Sequence, residues 1–240
     1  MEPNNDASLT PKELEEIARA RASFWAFLNV HFTTLPDITF VERLRASEFS
    51  AALDAVTDEA AEADVAPDMA AGASLMRDYL HSVAGTKAKA LAEQLGVDRT
   101  RLYRGVAPNY GPPPPCEAVW CGRSNDTPAV LQEIAKIYAG NGMAISPDAR
   151  ERLDYIGVEL EYQARLATRE AEAWDAGDEP AARTLLKQQV EFLGLHLAQW
   201  VPAFIEKALT MAETDFYRGH LLMLRGFLAS ELERLKELEA

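Results

Sequence analysis

The sequence predicts an all-α protein: a single-domain helical bundle with a Pro-rich loop in the middle of the chain. Three observations predict it. Apolar residues recur at three- and four-residue spacing through most of the 240 residues. Helix-start signals alternate with glycine-rich stops. No run of period two is long enough to make a useful strand. Hydrophobic residues make up 48% of the chain and charged residues 26%, a balance that lets a chain of this length bury a core without disulfides or metals.

Thr10-Pro11-Lys12-Glu13 opens the first helix. The threonine hydroxyl can accept from the Glu13 amide, Glu13 can return the bond, and Pro11 stands where no N–H is needed. Leu14, Ile17, Ala18, Phe24, Trp25 and Leu28 follow at helical spacing. Pro36-Asp37 begins a second helix carrying Phe40, Val41 and Leu44 and extending toward Phe49. The acidic, alanine-rich stretch 57–66 fits either a helix or a connection. Pro67-Asp68 starts a helix with Leu75, Met76, Tyr79 and Leu80 on one side, and Thr86 is the expected cap of another that carries Leu91 and Leu95 and closes at Gly96. Prolines and glycines then crowd 105–122, with Pro108, Pro112–Pro115, Gly105, Gly111 and Gly122, a density no helix interior tolerates. Helices resume at Thr127-Pro128 and stop at Gly140-Asn141-Gly142. Ser146-Pro147-Asp148 opens a long one, expected to bend near Gly157 and to stop at Gly177. Asp178 starts the next, Pro202 fits the first turn of another, and the last runs from about Asp215 to the end. The whole of 1–240 therefore reads as one domain, with N-terminal helices over 10–104, the loop over 105–122 and C-terminal helices over 127–240.

Composition narrows the function. A net charge of -14 opposes nucleic acid, whose phosphates need Lys and Arg to replace their counterions. It suits a basic partner, or else simply confers solubility. The N-terminus is acidic and lacks the apolar core of a secretory signal, and no apolar run approaches the length that spans a bilayer, so a cytoplasmic protein without membrane insertion is expected. His31, His81, His196 and His220 are scattered singly. Asp78-x-x-His81 is the nearest approach to a ligand pair, and alone it cannot complete a di-iron or zinc site. Cys116 and Cys121 read as two free thiols, since their spacing is not Cys-x-x-Cys and two thiolates are half a zinc site. With no phosphate-binding loop, nucleophile elbow or dinucleotide fingerprint, the chain is expected to be no enzyme, with no catalytic residues, cofactor or metal.

The proline loop is the feature that needs explaining. Pro112–Pro115 favour an extended backbone that is rigid before any partner arrives. Leu102, Tyr103 and Tyr110 flank it on one side, Val119 and Trp120 on the other. It either staples two halves of the bundle together or offers a preorganised surface to an apolar peptide.

Several motifs in order resemble one family. Arg101-Leu102-Tyr103-Arg104-Gly105, followed by Gly111-Pro112-Pro113-Pro114-Pro115-Cys116-Glu117-Ala118-Val119-Trp120, looks like the hallmark of the TorD/DmsD/NarJ family of molybdoenzyme maturation chaperones. Asp154-Tyr155-Ile156-Gly157-Val158-Glu159-Leu160-Glu161-Tyr162 is similar to its Asp-His-Leu-Gly-x-Glu-Leu-Glu-Phe run. His196-Leu197, Trp200 and Pro202-Ala203-Phe204 resemble its His-Leu-x-x-Trp-x-Pro-x-Phe. The resemblance covers about 98–207.

It implies an all-helical cytoplasmic chaperone that binds the catalytic subunit of a molybdenum-cofactor oxidoreductase, frequently at a twin-arginine signal peptide, before cofactor insertion and export. Carried over by position, it nominates Leu102, Tyr103, Pro114, Pro115, Cys116, Val119, Trp120, Asp154 and Tyr155 as peptide-binding. Cys116 stands where the family has an aromatic, Ala118 where it has a small polar residue and Tyr155 where it has histidine, so the client cannot be carried over from a relative. The basic start and apolar core of such a peptide match an acidic protein with an apolar groove. Monomer and swapped homodimer both remain open. The alternative reading is an α-helical small-molecule or nucleotide-binding regulator, and an enzyme of unassigned chemistry is third.

Overall fold

The computed structural model describes residues 9–63, 67–105, 110–144 and 151–239. They form α1 (Pro11–Thr33), α2 (Ile38–Leu44), α3 (Ser47–Ala63), α4 (Pro67–Ser82), α5 (Ala88–Tyr103), the short α6 (Glu117–Trp120), α7 (Thr127–Gly140), α8 (Ile156–Asp175), α9 (Glu179–Phe192), α10 (Ala198–Leu209) and α11 (Asp215–Glu239). Among the described residues there is no strand; one isolated antiparallel bridge joins Cys116 to Tyr155. The protein is all-α.

Local chemistry sets many of the helix ends. At α1 the Glu13 amide donates to Thr10 Oγ1 (3.3 Å) and the Thr10 amide to the Glu13 carboxylate (2.7 Å), a complete capping box. Asp37 accepts from the Phe40 amide (2.7 Å) and Asp178 from the Ala181 amide (3.1 Å). The acidic stretch after residue 57 continues α3 to Ala63; residues 64–66 lie outside the described residues.

Four expected boundaries move. Helix α5 does not stop at Gly96 but runs on to Tyr103. Leu95, Leu102 and Tyr103 are buried beyond any propensity cost of one glycine, about 1 kcal/mol. Its N-cap is Lys87, without a side-chain bond, rather than Thr86, whose amide closes a turn on the Val83 carbonyl. Helix α8 begins at Ile156, because the Cys116–Tyr155 bridge uses the preceding backbone; the expected start at Ser146 lies outside the described residues. Gly157 therefore sits in the first turn, not at a bend, where a side chain would meet Thr33 and the Tyr155 ring. Pro202 lies inside α10, not in its first turn, because α9 passes through a π-helical segment, Leu193–Leu197, straight into α10. Gln199 Nε2 donates to the Gly194 carbonyl there (2.7 Å), serving a backbone acceptor that the irregular turn disturbs.

N- and C-terminal halves interleave around one core. Helix α1 lies along α8, α4 along α11, and α9 along α8. Where α4 and α11 cross, Gly72 and Gly219 face one another: a methyl on Gly219 would strike the Gly72 carbonyl and sit 3.0 Å from the Met76 nitrogen. Trp25, Phe32, Trp200, Phe204 and Phe216 are wholly buried between these layers. Polar groups cross the same core. Asp98 at the heart of α5 accepts from the Thr214 amide (2.8 Å) and hydroxyl (2.7 Å), tying α5 to the start of α11. Arg21 on α1 pairs with Glu170 on α8 and lies 3.7 Å from Glu231 on α11.

Candidate binding site around the proline loop

The loop is fastened to the bundle by its own backbone. The Ile156 amide donates to the Pro115 carbonyl and the Glu117 amide to the Asp154 carbonyl, both at 2.9 Å. Asp154, wholly buried, then accepts the Ala118 amide on Oδ2 (3.1 Å) while Arg152 brackets its carboxylate at 2.9 and 2.7 Å. The hallmark segment and the Asp154-Tyr155 segment, separate in sequence, are thus one two-stranded clasp. Two glycines make the approach feasible. Gly105 has φ +58° and would otherwise strike Pro114, while Gly111 lies against the Arg101 carbonyl.

The nominated residues divide into two groups. Leu102, Tyr103, Pro115, Cys116, Asp154 and Tyr155 are buried. Tyr103 is 1% exposed; its ring lies 4.5 Å from that of Phe32, and its hydroxyl donates to His220 Nδ1 at 3.1 Å. His220 Nε2 donates in turn to the Leu28 carbonyl (2.9 Å), and burial pushes this imidazole down to about 4, so it is neutral. Tyr155 donates to the Phe32 carbonyl (2.9 Å). Burial raises the Cys116 thiol to about 12, whereas Cys121 is exposed. Pro114, Val119 and Trp120 are the half-buried members that reach the surface. Trp120 Nε1 donates to the Pro114 carbonyl (3.1 Å), and its ring meets Phe204 edge-on at 5.6 Å, so it is both a clamp on the loop and its exposed rim.

The third motif enters from beneath. His196 Nδ1 lies 2.7 Å from Glu117 Oε2, and Trp200 Nε1 donates to Glu159 Oε2 at 3.2 Å. Burial, then the neighbouring Glu117, raises the Glu159 carboxyl well above the usual range. Glu117, Glu159, His196 and Trp200 all stand in the motifs that the sequence singles out, yet none is nominated as a site residue. The signal was their type: Glu117, Glu159 and His196 are ionisable residues between apolar neighbours, and Trp200 carries an indole N–H that needs an acceptor when buried. Among the described residues no three His, Cys, Asp or Glu side chains converge as metal ligands, and no helix is long and apolar enough to cross a membrane.

Comparisons with known proteins cover this same region. Residues 62–206 match the family described as nitrate reductase delta subunit. The chain is similar to the chaperone protein TorD of Vibrio parahaemolyticus, with 28% identity over 116 residues, 47% of this chain and 52% of that one. The TorD of Photobacterium profundum is also 28% identical over 116 residues, 47% and 51% of the two chains. That of Vibrio cholerae is 24% identical over 117 residues, 49% and 51%. The match spans about half the length of these curated relatives.

Proposed function

Since the chain belongs to the nitrate reductase delta subunit family that includes the TorD chaperones, we propose that it is a cytoplasmic, non-enzymatic chaperone. Its client would be the catalytic subunit of a molybdenum-cofactor oxidoreductase, bound before cofactor insertion or export. The observation that carries this reading is the match over 62–206, which contains the clasp, the loop and the motif residues beneath them. The finer part is that the client offers a twin-arginine signal peptide. The acidic balance of the chain, net -14, and the apolar rim of Pro114, Val119 and Trp120 on a rigid loop favour a segment that is basic at one end and apolar beyond it. Leu102, Tyr103, Pro115, Cys116, Asp154 and Tyr155 then serve binding from behind, by holding that rim in place.

Co-purification tests the coarser reading: the tagged chain should bring down an apo molybdoenzyme subunit, and consistent failure to do so in cells that make one overturns it. Calorimetry with a synthetic twin-arginine peptide tests the finer one. Affinity should fall as salt rises, because exposed complementary charges are screened beyond a Debye length of about 8 Å at physiological ionic strength. Salt-independent affinity would make the contact apolar alone.

A further inference from the structure

We propose that Arg99 is a positioning residue for the proline loop: by holding the Phe32 carbonyl it fixes the seat of Tyr155 and, through the clasp, the rim that meets the client. The inference rests on the proposed reading of that rim as the client's surface. It starts from a cation with no counter-ion. Arg99 is 0% exposed, and a guanidinium is a cation in any protein environment. Asp98, beside it in sequence, is committed to the amides of Glu213 and Thr214 and to the Thr214 hydroxyl. Among the described residues no carboxylate pairs with Arg99, and its Nε and Nη1 have no hydrogen-bond partner. Arg21, the other buried arginine among them, has Glu170. A buried charge without a partner is costly, and an apolar side chain of similar volume is commonly as stable or more so. Stability therefore does not account for an arginine here.

What Arg99 does hold is one atom. Its Nη2 donates to the Phe32 carbonyl oxygen. That carbonyl lies in the last turn of α1, where acceptors lack a helical amide and the negative end of the helix dipole gathers. The same oxygen accepts from the Tyr155 hydroxyl at 2.9 Å. Two donors, one from α5 and one from the segment ahead of α8, thus share the two lone pairs of a single carbonyl. From Tyr155 the path to the loop is hydrogen-bonded throughout. Tyr155 is the partner of Cys116 in the antiparallel bridge. On either side the Ile156 amide donates to the Pro115 carbonyl and the Glu117 amide to the Asp154 carbonyl. The Pro114 carbonyl then receives the Trp120 indole. A Phe32 carbonyl free to swing would loosen Tyr155, and with it the backbone that carries Pro114, Val119 and Trp120. Arg99 is too deep to touch the client, so it acts only through Tyr155.

Amide hydrogen exchange on the full chain reads the clasp without any ligand, at the amides of Glu117, Ala118 and Ile156. Arg99→Met keeps the length of the side chain and removes its donor and charge. Protection at these amides should fall by about tenfold or more, the order that one hydrogen bond to a charged group carries. Amides within α11 should keep theirs, and the thermal midpoint should not drop. Affinity for the synthetic twin-arginine peptide should fall by about threefold or more, as for a contact surface that must be ordered on binding. Arg99→Lys, which returns a charged donor, should recover part of both losses. In a Tyr155→Phe background Arg99→Met should change neither quantity further, because the arginine acts through that hydroxyl. Wild-type protection in Arg99→Met overturns the inference, as does an additive loss in the double variant or unchanged peptide affinity beside a loosened clasp. An Arg99→Met chain that melts well below wild type, or does not fold, also overturns it, since the arginine would then hold the bundle rather than the loop. Failure of the wild type to bind the peptide sinks the signal-peptide reading instead, and the exchange result still judges Arg99.

Discussion

A family motif marks residues without saying which way they face, and Tyr103 and Trp120 show what that omits. Both flank the same loop. Tyr103 has its hydroxyl on His220 and its ring against Phe32, inside the core. Tyr103→Ala is therefore expected to lower stability by about 3–5 kcal/mol, as for a buried aromatic deletion. Tyr103→Phe should cost about 1–3 kcal/mol, because it leaves His220 Nδ1 without its donor. Denaturant titration of both variants checks the ordering, and an unchanged midpoint for Tyr103→Ala would place the ring outside the core. Trp120 is half-buried at the rim. Its truncation should weaken peptide binding by about 1–3 kcal/mol, with a smaller stability loss through the Pro114 bond, and calorimetry beside melting separates the two. Glu117 and Glu159 were harder to read in the sequence. A glutamate among apolar residues looks like a solvated face unless the fold is known to cross there.

At the scale of elements, helix starts were legible wherever a side chain makes the cap itself, as at Thr10, Asp37 and Asp178. Helix continuity was not, because tertiary contacts decide it. Gly96 reads as a stop but is carried through by the burial around it, and Pro202 reads as a start but is absorbed by the π segment upstream. The loop was visible as a break in pattern. Its pairing with Asp154-Tyr155 was not, since a bridge of one residue pair leaves no periodicity to read. The α4–α11 crossing shows the same limit. Gly72 and Gly219 look like weak points within helices, yet each is the space the other backbone fills. Gly219→Ala is expected to cost about 1–3 kcal/mol by overpacking, unlike an ordinary exposed Gly→Ala change, which improves helix propensity. A thermal midpoint equal to or above wild type would show that the helices can part at no cost.

For the whole molecule, buried titratable groups of opposite kind set the dependence of stability on pH. His220 falls from 6.5 to about 4 through burial, and His31 falls well below 6.5 through burial and then the neighbouring His220. The unfolded chain therefore binds more protons at these sites below pH 6.5, and stability is lost as pH falls from there through the folded values. Glu231 rises from 4.5 to about 7. Burial outweighs the attraction of Arg21, whose guanidinium is already bound to Glu170. Glu159 rises well above 4.5 for the reasons given above. Here the folded chain binds the extra protons, so stability is fully present below pH 4.5 and is lost as pH rises through the folded values. Between 4.5 and 6.5 the two slopes oppose and leave a plateau. Above 6.5 only the carboxyl slope continues, with the self-repulsion of a chain of net charge -14 added to it. At ~1.4 kcal/mol per pKa unit, a group displaced as far as Glu231 contributes on the order of 3 kcal/mol across its window. Glu231→Gln should therefore match wild type below pH 4.5, where both side chains are neutral in the folded and unfolded states. It should become the more stable protein as pH rises from 4.5 to about 7, the window over which the wild-type carboxyl ionises first in the unfolded and then in the folded chain. Thermal midpoints of the two proteins from acid to mild alkali measure the gap. A gap that stays constant with pH would mean that Glu231 is ionised throughout, held by Arg21 as an ordinary ion pair.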